Sequence, residues 1–265
     1  MGDYILNTVN YDYKTLNHEG FGGVCKYIAT PKRVGYPRLL VKHENIQSAC
    51  NTFMCSRLAE LCGVYTPKAY LMSTSGETRR LFPMHPFIVG TEWVEDFSSV
   101  DYDKLKESPV LRQQYLDSMA LYAMFCRIAD TPQFAHSTVK GVFAYDWDEA
   151  FDVTDFVIKL SLYNGDAGTE QMRRMLQRFS QHPFENDAEL CLRSAAAHLN
   201  MDADDLRSSY MQTMERFCKV TEAQVTELTD VLFNVYPMPL IVYYEEYIKI
   251  LQRKVTCYAQ YHYAG

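Results

Sequence analysis

The chain is 265 residues long, 48% apolar and 22% charged, a balance that builds a sizeable core and excludes a disordered polypeptide. Its formal charge of −7 disfavours a protein that wraps nucleic acid, because phosphate binding needs a basic surface or a dense basic stripe. No run of eighteen apolar residues and no basic start followed by an apolar stretch signals insertion or export.

From Tyr4 to Phe97 short apolar runs alternate with Gly, Pro and polar pairs, the texture of a twisted antiparallel sheet. Strands are expected at Tyr27 to Ala29 and Arg38 to Val41. Two more, Ala69 to Met72 and Arg80 to Phe82, would flank a hairpin-like turn over Ser73 to Thr78. A helix from Ile46 to Leu61 interrupts them, since Phe53, Met54, Arg57, Leu58 and Leu61 fall at helical spacing, and Cys62-Gly63 supplies a left-handed stop.

Beyond Val100 the pattern turns to long amphipathic stretches. The clearest is Val110 to Ile128, where Leu111, Tyr115, Met119, Tyr122, Phe125 and Cys126 recur every three or four residues. Further helices are expected at Thr169 to Ser180, Asn186 to Leu199, Asp202 to Lys219, Thr221 to Tyr236 and Pro239 to Tyr258, each opening near an Asn, Asp, Thr or Pro suited to that position. Strand-like text breaks this series only at Val139 and Gly141 to Asp146. The expected architecture is therefore α+β in two lobes, residues 1–97 rich in strands with one helix and residues 98–265 mainly helical.

Three features fall where phosphoryl transfer needs them. Lys42 ends the apolar strand Leu39-Leu40-Val41, and an amine on a rigid strand can bridge nucleotide phosphates; surface lysines at strand ends are also common. Upstream, Gly20, Gly22 and Gly23 form a Gly-rich turn whose amides could cover those phosphates, or simply a turn, and it matches neither the Walker P-loop nor the dinucleotide fingerprint. Asp130 follows the core helix, where a carboxylate either orients a hydroxyl and takes its proton or merely bonds the Thr131-Pro132 turn. Asp146 ends the apolar strand Val142 to Tyr145, and a carboxylate delivered from a buried strand calls for a cation or a donor pair, with magnesium a natural occupant. Asp148 and Glu149 are expected to cap a following helix.

The order of these parts is that of protein-kinase-like folds. On Leu39 to Lys42, Asn51 to Val64, Ile128 to His136 and Tyr145 to Phe151, with a softer match over Leu232 to Pro239, the chain resembles the HipA-like serine/threonine kinases. The resemblance implies a two-lobed kinase-like fold, ATP and Mg as cofactors, Lys42 and the glycines on the nucleotide, Asp130 as the catalytic residue and Asp146 as the metal ligand. Two departures touch activity. Thr52 stands where the family places the Glu that pairs with the strand lysine, and Ala135 stands where it places an Asn that helps hold metal; His136 or Ser137 could substitute for that Asn, although an imidazole is a poor partner for hard magnesium.

Three functions therefore stay open: a protein Ser/Thr kinase, a degenerate kinase that serves as a protein-binding module, and a helical regulator with no nucleotide site. Expected partners are a nucleotide and a protein substrate or partner, with neither membrane nor nucleic acid. The scattered cysteines, free of CxxC pairs, point to a reducing cytoplasm. Seven histidines without HExxH or paired Cys/His spacing give a zinc site no support.

Overall fold

In a computed structural model of the chain, the described residues are 4–16, 25–42, 44–82, 87–126, 133–152, 166–235 and 238–263. A six-stranded sheet and one long helix make up the N-terminal part. The strands are β1 (Ile5–Asn7), β2 (Tyr11–Thr15), β3 (Lys26–Pro31), β4 (Leu39–Lys42), β5 (Ala69–Ser73) and β6 (Phe87–Glu92), ordered β1-β5-β6-β4-β3-β2 across the sheet. Helix α1 (Ile46–Leu61) packs on β5 and β6. Its ends follow from local chemistry: the Asn45 side chain accepts from the Ser48 amide, and Gly63, at φ +66, lets Gly63 and Val64 return their amides to Glu60 and Ala59.

The remainder is mainly helical. β7 (Ser98–Ser99) comes first, then α2 (Tyr102–Glu107) and α3 (Pro109–Phe125), and β8 (Phe134–Ser137) and β9 (Gly141–Ala144) join β7 in a small sheet. Five further helices follow among the described residues: α4 (Asp166–Gln181), α5 (Phe184–Leu199), α6 (Ala203–Cys218), α7 (Glu222–Phe233) and α8 (Met238–Tyr263). This is the two-lobed α+β architecture expected from the sequence. Among the described residues no helix is long and apolar enough to cross a membrane.

Helix α3 is the hub of the helical part, lying against α5, α6 and β9. Every residue from Tyr115 to Phe125 is buried, so this helix has no solvent face over its C-terminal half. The carboxylate it takes inside, Asp117, is tied by Thr213 Oγ1 at 2.6 Å, Gln113 Nε2 at 2.9 Å and Arg216 at 3.0 Å. That set of donors answers the requirement that a buried charge be paired and hydrogen-bonded.

Several expectations need correction. The sheet is not wholly antiparallel: β1 runs parallel to β5, with Ile5 opposite Leu71. Arg80 to Phe82 is not a strand. Gly76–Arg80 forms a 3-10 turn in which the Thr78 hydroxyl bonds back to Ser75, and the antiparallel neighbour of β5 is β6 instead. A polar run that can satisfy itself locally competes successfully with a ladder. The buried strand before Asp146 stops at Ala144, and Val139 lies in the turn between β8 and β9. Asp148 and Glu149 precede a 3-10 turn, Ala150–Asp152, and any helix beyond it for them to cap lies outside the described residues.

That β8–β9 turn is held from outside by Asp96, whose carboxylate accepts from Ser137 Oγ and the Thr138 amide, both at 2.6 Å, and from the Thr138 hydroxyl. The Ser137 and Thr138 bonds lower its pKa from 3.8 to about 2. Because the folded value lies below the unfolded one, the contribution is present above pH 3.8 and is lost as pH falls toward 2. Asp96→Asn is accordingly expected to lower the urea midpoint at neutral pH, and the gap from the wild type should narrow once the pH drops below 3.8.

Candidate functional site

The side chains of β4 alternate, Leu39 and Val41 being fully buried while Leu40 and Lys42 line a cleft of about 330 Å³. Lys26 lies opposite Lys42 in the β3–β4 register and lines the same cleft. The remaining lining joins apolar groups, among them Val89, Trp93, Val94 and Phe97, to Asp146 and Gln133 from the other lobe. A concave, largely apolar site with a few convergent polar groups is the usual form of a small-molecule pocket.

Asp146 reaches the cleft because the chain turns sharply after β9. Its φ is +66, a left-handed conformation that Asp tolerates better than most residues and that concentrates at functional sites. The carboxylate forms an ion pair with the Lys42 ammonium, 104 residues away in sequence, and accepts from Gln133 Nε2 at 3.3 Å. Glu44 supplies a second carboxylate 3.2 Å from Lys42. One oxygen each from Glu44, Asp146 and Asp148 lie within 4.8 Å of one another.

The electrostatics follow from this crowding. Burial would lower the Lys42 pKa, but Glu44 and Asp146 outweigh it and hold the ammonium above its ordinary value. Burial, reinforced by Asp148, pushes the Glu44 carboxyl up against the opposing pull of Lys42. Lys26 is lowered by burial and by Lys42. Both Glu44 oxygens are buried without a hydrogen-bond partner among the described residues, and the Glu44 side chain is only 5% exposed. Two lysines face three carboxyl groups here, a formal count of one negative charge in excess.

The structure thus brings Lys42 and Asp146 together. Asp130, Gly20, Gly22 and Gly23 lie outside the described residues. Thr52 lines the cleft with its hydroxyl buried and unpartnered among the described residues, and the lysine's carboxylate partner on this side is Glu44. Ala135 is fully buried in β8 opposite Phe143 and faces no part of the cleft. Ser137 bonds Asp96, and neither it nor His136 lines the cleft. The amide beside Asp146 comes from Gln133 instead. Sequence reasoning misses Glu44 and Gln133 and assigns Asp148 to a helix cap rather than to this site. Glu44 and Asp148 do carry a signal, since each stands two residues from its partner, in Lys42-x-Glu44 and Asp146-x-Asp148.

No protein-family model matches the sequence, nor does any curated protein. Among solved structures the chain is similar to the Helicobacter pylori proinflammatory kinase CtkA, with a TM-score of 0.42 and 10% identity over 96% of this chain and 97% of that one.

Proposed function

We propose that this is a kinase-like protein, related to the HipA-like serine/threonine kinases, whose cleft takes ATP together with a divalent cation. The observation that carries the reading is the meeting of Lys42 and Asp146 from opposite lobes at one pocket. In this reading the apolar lining around Val89, Trp93 and Phe97 receives the base, and Lys42 contacts phosphate oxygens. The buried, unpartnered Glu44 oxygens and the oxygen-only donors beside them fit a hard cation, with Asp146 as a ligand. When bound, such a cation neutralises charge on the transferring phosphoryl group.

Asp130 would orient the acceptor hydroxyl of a protein Ser or Thr. It would take the hydroxyl proton as the new oxygen–phosphorus bond forms and the bond to the departing ADP breaks. A second reading, a kinase-like binding module without turnover, is favoured by Thr52 and Ala135. Neither can supply the ion-pair or ligand role that the resemblance assigns to its position.

Melting the protein with and without Mg·ATP tests the site. A rise in melting temperature is expected from preferential binding to the folded state, and an unchanged value leaves a helical regulator without a nucleotide site. Transfer of labelled γ-phosphate to the chain itself or to a generic protein substrate then separates kinase from binding module.

A further inference from the structure

We infer that Glu44, Asp146 and Asp148 form a divalent-cation site that fills without nucleotide, and that Lys42 is the group the cation displaces. The first observation is geometric. Three carboxylate oxygens within 4.8 Å of one another match a cation with metal–oxygen distances of about 2.0–2.6 Å, whose opposite ligands stand roughly 4–5 Å apart. The donors are all oxygen, which selects Mg²⁺, Mn²⁺ or Ca²⁺ over zinc or copper.

The second observation is the state of Glu44. Its side chain is 5% exposed, neither oxygen has a hydrogen-bond partner among the described residues, and only Oε1 has an ion-pair contact, to Lys42 at 3.2 Å. Oε2 is thus a buried acceptor without a hydrogen-bond partner among the described residues, set beside the carboxylates of Asp148 and Asp146. A buried carboxylate in that state is explained by a cation ligand better than by packing.

The charges facing the site come from every side: Lys26 on β3, Lys42 on β4, Glu44 before α1, and Asp146 and Asp148 after β9. Lys42 lies between Glu44 and Asp146, ion-paired with both, and so acts as a cation with a single charge. A dication entering among three carboxylates relieves the excess negative charge that a lysine leaves. It also frees the ammonium to reach toward phosphates. The cation site stands independently of the nucleotide reading; only this release of Lys42 as a preparatory step rests on it.

Titrating the nucleotide-free full chain with Mn²⁺, with free Mn²⁺ followed by electron paramagnetic resonance, tests the inference. One Mn²⁺ per chain is expected, displaced by Mg²⁺. Glu44→Gln and Asp148→Asn should each weaken it at least tenfold, whereas Lys42→Met should tighten it severalfold by removing the competing charge. Circular dichroism checks folding, and if Glu44→Gln does not fold, Asp148→Asn and Lys42→Met carry the test. Mn²⁺ bound only after ATP is added, or bound equally by wild type and Asp148→Asn, overturns the cation site while leaving nucleotide binding intact. Mn²⁺ bound in a protein that never takes ATP upholds the cation site and removes the nucleotide reading.

Discussion

Asp146→Asn is expected to abolish the stabilisation given by Mg·ATP while leaving the melting temperature of the unliganded protein nearly unchanged. The substitution is chosen for its backbone. Position 146 sits at φ +66, and Asn accepts that conformation as readily as Asp, so the turn after β9 survives. Lys42 retains Glu44 as an ion-pair partner at 3.2 Å. What disappears is a negative charge at the point where both lobes meet. With nucleotide at a hundred times its dissociation constant, binding stabilises the wild type by about 2.7 kcal/mol, or roughly 5–10 °C for a chain of this size. The variant should show less than about a fifth of that in a side-by-side thermal melt. An equal shift in both proteins would remove Asp146 from the site.

The largest loss of stability is expected at Asn51. This α1 residue is fully buried, and its Nδ2 donates at 2.8 Å both to the Asp148 carbonyl and to the Ala150 carbonyl, while its Oδ1 accepts from the Tyr244 hydroxyl at 2.5 Å. One amide thus ties the segment after Asp146 to α1 and to α8. Asn51→Ala removes three hydrogen bonds, two buried and one part-buried, and a buried polar group that loses its partner costs about 1–3 kcal/mol. A destabilisation of about 3–5 kcal/mol should follow in urea denaturation. Tyr244→Phe removes only one of the three bonds and should cost about 1–2 kcal/mol. If the two variants proved equal, the carbonyls of Asp148 and Ala150 would not depend on Asn51.

The parts of the fold that repeat a local pattern were legible in the sequence. Helix α1 occupies the expected Ile46–Leu61 span because spacing, the Asn45 cap and the Gly63 stop agree. The helical series from α3 to α8 follows its apolar periodicity in the same way. Pairing was not legible. Nothing local in Ile5–Asn7 names Leu71–Ser73 as its neighbour, and the choice of β6 over Arg80 to Phe82 depends on a self-satisfied turn. At the site, Lys42 and Asp146 could be picked out as polar groups ending apolar strands. Gln133 could not, because it earns its place only through the β8–β9 hairpin, where the Tyr145 amide bonds the Gln133 carbonyl at 3.1 Å and draws the side chain beside Asp146. Ala135 lies two residues further on, inside β8 with its methyl in the core, so counting positions along the chain picked a residue that the strand turns inward.

The parallel pairing of β1 with β5 also sets a timetable. A ribosome releases Ile5 to Asn7 well before Leu71 to Ser73, and at about 5–20 residues per second the gap is on the order of several seconds. For that interval β1 has no β5 to pair with, while β2, β3 and β4 pair with neighbours that follow one another directly in the chain. The nascent chain therefore seats β1 as a late addition to a sheet built without it, fastened by Thr8 Oγ1 on the Ser73 carbonyl at 2.9 Å. Birth order and assembly order run in opposite directions at this edge.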